Sequence, residues 1–122
     1  MNVFQYAAAE QATFSEIMME NSGYETFTTF YSDLSIAEAV SSVNGINDTY
    51  NRVCKEWITN YKYFTEFCMA LNIKAWEYAP NARNNEELCA LYSDLYYKAR
   101  DLAYDNFDDE GKQYFFDMTD WK

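Results

Sequence analysis

The sequence predicts an all-α fold, a small helical bundle built on a long antiparallel helical hairpin at about residues 48–79 and 86–106, with short N- and C-terminal helices. Three observations carry that expectation. The 122-residue chain holds only three Gly and one Pro, too little punctuation for a β-sandwich or barrel. Apolar residues in its second half recur at alternating spacings of four and three, the rhythm of packed helices. Hydrophobic residues make up 49% of the chain, enough to bury one core, so residues 1–122 read as a single domain. That core must be rich in rings, because 12 Tyr, 9 Phe and 3 Trp equal in number all Leu, Ile, Val and Phe together. Tyrosine brings a polar handle with its buried area.

Along the chain, residues 1–27 read as an N-terminal extension in which Thr13-Phe-Ser-Glu16 is a capping-box pattern for a helix ending before Gly23. Tyr24 to Tyr31 is rich in Thr and aromatics, and an extended conformation stays open there if a second chain supplies a partner strand. Ser35-Ile-Ala-Glu38 is a second capping box, opening a short helix to about Ser41.

The clearest element runs from Asp48 to Tyr78. Tyr50, Cys54, Trp57, Tyr61, Phe64, Cys68, Leu71, Ala75 and Tyr78 keep the four-three rhythm. Asn47 or Asp48 caps the start and Pro80 stops it. Uninterrupted, this helix would be about 48 Å long, although a break near Asn60 is compatible with the pattern. At 100° per residue, Arg52, Lys55, Glu56, Lys62, Glu66, Lys74 and Glu77 share a charged face, while the apolar arc takes in more than half the circumference. An arc that wide exceeds what one partner helix covers. Asn84 or Asn85 then caps a helix whose stripe is Leu88, Tyr92, Leu95, Ala99 and Leu102. A short loop between two such helices makes an antiparallel hairpin, with Cys89 near Ala75 and Trp76. Asp108 caps a last short helix through Asp117.

Composition narrows the chemistry. The chain contains no His, which removes Ser-His and Cys-His nucleophiles, imidazole metal sites and histidine general bases. Cys54, Cys68 and Cys89 are widely spaced and read as small buried residues, not a disulfide framework or metal knuckle. Residues 106–117 nearly spell an EF-hand loop, but Asn106, Gln113 and Asp117 stand at positions that need other residues. A helix stop followed by an N-cap explains the same letters. The remaining carboxylates fall on the charged face, so no cofactor and no metal site is expected, and we read the chain as non-enzymatic.

The net charge is −11, with acid gathered toward both chain ends: residues 1–51 hold seven acids and no Lys or Arg. Direct nucleic-acid binding and binding to an anionic membrane are not expected, since both need clustered basic residues. No apolar run reaches a membrane span and Met1 to Gln11 lacks a basic region, so a cytoplasmic location is expected.

Thr28-Thr-Phe-Tyr-Ser-Asp-Leu-Ser-Ile-Ala-Glu38, Asp48-Thr-Tyr-Asn-Arg-Val-Cys-Lys-Glu-Trp57 and Asn60-Tyr-Lys-Tyr-Phe-Thr-Glu66 resemble a family of short acidic helical proteins from gut anaerobes, often encoded on mobile elements. The resemblance covers about residues 28–117 and rests on aromatic and polar helix patterns. It brings no activity with it. A mobile-element setting implies an accessory or anti-defence role.

Two functional expectations follow. The first is a non-enzymatic protein–protein interaction module, bound to a protein partner or to itself as a homodimer, with Tyr63, Met69, Ile73 and Trp76 at the interface because they extend the apolar arc. The second is an acidic decoy for a DNA-binding enzyme, with Glu16, Glu20, Glu25, Asp105, Asp108, Asp109 and Glu110 as its acidic surface.

Overall fold

A computed structural model describes residues 24–119, and its elements are α1 (Tyr24–Trp57), α2 (Tyr61–Glu77), α3 (Glu86–Asn106) and α4 (Asp109–Thr119). All four are helices, as the sequence predicts. Among the described residues no helix is long and apolar enough to cross a membrane.

α1 is a hairpin in itself. Ser41 (φ −136°) and Ser42 (φ 48°, ψ −125°) leave helical geometry, and the chain doubles back there. Phe30 and Trp57 meet edge to face at 6.4 Å, whereas a straight helix would hold them about 40 Å apart. Asp33 likewise reaches Arg52 at 3.6 Å. The arms 24–40 and 43–57 approach so closely at Gly45 that a Cβ there would lie 2.4 Å from the Ala37 carbonyl oxygen. This close approach requires glycine.

Two expectations are corrected in this region. Tyr24–Tyr31 is helical, not extended, and Ser35–Glu38 lies inside a helix instead of opening one. Phe27, Phe30 and Leu34 bury one stripe at helical spacing, and that packing overrides the strand preference of the threonines and aromatics. The helix end expected at Ser41 does coincide with the reversal. Gly45, Asn47 and Asp48 lie within the second arm and cap nothing.

The long helix is also broken. Asn60 adopts extended backbone and its side chain accepts a hydrogen bond from Tyr63 N at 3.1 Å, starting α2 afresh. Residues 43–57 then pack back along α2, with Trp57 against Tyr63 and Tyr50 against Phe67. The hairpin of the bundle is therefore α2 with α3. Asn85 caps α3 through Leu88 N at 3.1 Å, and Asp108 caps α4 through Gly111 N at 2.9 Å, both as expected. Gly111 lets α4 lie close on α2, since a Cβ there would be 3.1 Å from that of Tyr61.

α2 is the axis of the molecule. α1 packs on one side, α3 on another, and α4 covers its N-terminal half. Phe64 to Leu71 is buried without interruption, as expected of a helix surrounded on all sides. The wide arc is thus covered within the chain, and two of the proposed interface residues are lost to the core: Met69 is fully buried and Ile73 is only 7% exposed. The same enclosure takes Glu66 and Lys74 off the charged face, each to 2% exposure.

Candidate functional site

Arm 24–40 runs alongside α2 in the same direction, which aligns Ser35 and Glu38 with Lys74 and Tyr78. Around Lys74 this alignment builds a closed polar cluster. Its ammonium donates to Glu77 Oε2 at 3.0 Å and Ser35 Oγ at 3.1 Å, and lies 3.3 Å from Glu38 Oε1. The rings of Tyr31, Tyr78 and Tyr92 surround it, with centroids 5.0, 5.5 and 5.7 Å from Nζ. Each ring then anchors a carboxylate: Tyr31 donates to Glu77, Tyr78 to Glu38, and Tyr92 to Glu38 Oε1 at 2.7 Å.

Burial and these carboxylate contacts push the phenols of Tyr31 and Tyr92 well up, and that of Tyr78 to about 12. Burial alone would raise Glu38 as well, yet hydrogen bonds from Tyr78 and Tyr92 and the Lys74 ammonium outweigh it and hold the carboxyl below its ordinary value. A carboxylate so stabilised is a fixed acceptor and phenols so raised are fixed donors. The arrangement is a clamp that fastens α1, α2 and α3 to one another.

A second buried charge has far fewer partners. Glu66 Oε1 accepts from Tyr114 of α4 at 2.9 Å, while Oε2 is buried with no hydrogen-bond partner. Burial pushes this carboxyl up to about 7, against the opposing hydrogen bond from Tyr114.

The surface holds a groove of about 380 Å³ where the start of α1, its end and the start of α2 meet. Phe30, Trp57 and Tyr63 form its walls, and Glu25, Asp33, Glu56 and Arg52 its charged rim. Trp57 and Tyr63 pack at 5.0 Å between ring centroids. Arg52 spans Asp33 at 3.6 Å and Glu56 at 3.4 Å. A smaller groove of about 300 Å³ runs between α2 and α3, where Trp76 faces Cys89 and Tyr97. Cys89 thus lies beside Ala75 and Trp76, as the hairpin register requires.

Of the proposed interface residues, then, Tyr63 lines the acidic groove at 41% exposure and Trp76 lines the other. Of the acidic set, Glu16 and Glu20 lie outside the described residues. Glu25 is on the first groove, and Asp105, Asp108, Asp109 and Glu110 are exposed at the α3–α4 corner. That corner packs on Tyr61 through Phe107 and Tyr114, at 6.2 and 5.5 Å. Burial and the carboxylates of Glu110 and Asp108 raise the Tyr61 phenol. Since Tyr61 and Tyr63 share the first turn of α2, both acidic regions fall at the same end of the bundle. Lys62 and Lys112 are interspersed among them.

Sequence reasoning missed the clamp. Its signal was present as Tyr31, Ser35 and Glu38 at spacings of four and three, the polar counterpart of a packing stripe. The chain matches no family model, no curated protein and no solved structure.

Proposed function

We propose that this protein is a non-enzymatic interaction module that docks a protein partner at the groove between α1 and the start of α2. The observation that carries this reading is the groove in which exposed Tyr63 and half-buried Trp57 stand over the buried Phe30, rimmed by Glu25, Asp33, Glu56 and Arg52. Exposed aromatics bury large area at low entropy cost and concentrate binding energy. The mobile-element setting implied by the sequence resemblance accords with an accessory of this kind.

Site-resolved crosslinking tests it. A photoreactive benzoylphenylalanine at position 63 is expected to give discrete adducts in extract from the source cells, while the same group at position 97, exposed on α3, gives none. Equal labelling from both positions, or none from position 63, would remove the reading. An adduct of twice the chain mass would identify the partner as a second copy.

A second reading, the acidic decoy, is favoured by the convergence of Glu25 with Asp105, Asp108, Asp109 and Glu110 at one end of the bundle. It requires a DNA-processing partner whose complex dissolves steeply with salt, whereas an aromatic interface holds.

A further inference from the structure

We infer that the acidic groove receives an arginine-bearing segment of a different, basic protein, and that Arg52 occupies the groove in its absence as an internal stand-in for that side chain. The inference rests on the interaction-module reading and names the chemistry of its partner. Three features select a guanidinium.

The walls come first. Trp57 and Tyr63 bring two rings to the groove, 5.0 Å apart between centroids and inclined at 49°, and a planar cation stacks on an aromatic face better than an ammonium does. The rim follows. Glu25, Asp33 and Glu56 outnumber the single cation, Arg52. Its contacts at 3.6 and 3.4 Å are longer than the roughly 2.7–2.9 Å of a well-formed charge-assisted bond. Arg52 is 46% exposed in its side chain, so it can swing out at little cost. Among the described residues Glu25 has no ion-pair partner.

Charge complementarity then decides the occupant. Residues 1–23 and 120–122 together contain four acids, one Lys and no Arg, so they bring no guanidinium to the rim. A second copy would bring a net charge of −11 toward an acidic groove, which is repulsive. A foreign basic segment meets both requirements.

The test is a fluorescence-anisotropy titration of the full chain with a labelled seven-residue peptide, Gly-Arg-Ser-Arg-Gly-Arg-Ser, and its lysine counterpart at 150 mM salt. The arginine peptide is expected to bind about tenfold more tightly than the lysine one. Tyr63→Ala and Glu56→Gln, both at exposed positions, are each expected to weaken it about tenfold. Arg52→Gln is expected to strengthen it several-fold by removing the stand-in. The double variant Asp108→Asn/Asp109→Asn, which removes acid outside the groove, should change it less than about twofold. Circular dichroism of each variant confirms that the helices persist.

Equal binding of the two peptides, equal losses in the groove and control variants, or weaker binding on Arg52→Gln would overturn the inference. These outcomes separate it from the reading beneath it. A discrete partner crosslinked at position 63 with no peptide binding leaves the module and removes the arginine. Selective peptide binding with no crosslinked protein keeps the groove's chemistry and removes the module.

Discussion

Lys74 and Glu66 lie on the same helix, both are 2% exposed, and their surroundings could hardly differ more. Lys74 is met by two carboxylates, a serine hydroxyl and three ring faces, whereas Glu66 has one phenol and an orphan oxygen. A buried charge is tolerated when its neighbours replace water in full, and it becomes a liability when they replace it in part. The C-terminal half of α2 is therefore fastened to α1 and α3 by a completed network. Its N-terminal half, beneath α4, is held by packing around an incomplete one.

The contrast breaks most visibly at the clamp. Lys74→Ala leaves Glu38 and Glu77 facing three phenols with no cation between them, and is expected to lower stability by about 3–5 kcal/mol in urea melts. A loss below about 1 kcal/mol would show that the clamp behaves like an exposed ion pair.

The next effect is on pH. Glu66 has a folded-state pKa of about 7 against an ordinary 4.5, so between those values the fold binds a proton that the unfolded chain releases. The stability that Glu66 contributes is therefore full below pH 4.5 and is lost as pH rises through about 7, on the order of 3 kcal/mol across that window. Glu66→Gln is expected to abolish that slope whatever its effect at a single pH. Glu38, whose pKa is lowered, acts in the opposite sense and in a lower window: its contribution is present above pH 4.5 and is lost as pH falls further. Urea melts of wild type and Glu66→Gln from about pH 2.5 to 8 separate the two carboxyls.

The smallest effect concerns the turn that presents Ser35 and Glu38 to Lys74. Ser42 has φ 48°, a conformation that glycine adopts without strain, so Ser42→Gly is expected to raise stability by about 1 kcal/mol. A loss of that size in thermal unfolding would mean that the serine side chain anchors the turn.

Much of this architecture was legible. The stripe from Leu88 through Ala99, the caps at Asn85 and Asp108, and the helix end near Ser41 all follow from local patterns, because cap and stripe depend on a few neighbouring residues. What stayed hidden depends on distant ones. The helical arm from Tyr24 is stabilised by Phe67, 37 residues beyond Phe30, through a ring contact of 5.3 Å. Glu66 and Lys74 read as solvated because a single-helix projection cannot count how many neighbours a helix will acquire. Met69 and Ile73 were misplaced for the same reason. The groove fared better in part: Tyr63 was singled out as surplus to one helix pair, but its partnership with Trp57 needed the break at Asn60, which brings the two rings around a corner.

The reversal at Ser41 and Ser42 also has a topological side. Returned to helical angles, the two residues would merge the arms of α1 into a rod of 34 residues, about 50 Å long, carrying Tyr31, Ser35 and Glu38 away from Lys74. The vacated face would fit the same arm of another molecule, so domain swapping would rebuild every clamp contact while changing the stoichiometry. The positive φ at Ser42 is the strain such an exchange would relieve. Against such an exchange stands the mutual repulsion of chains that each carry −11, a cost that salt would screen.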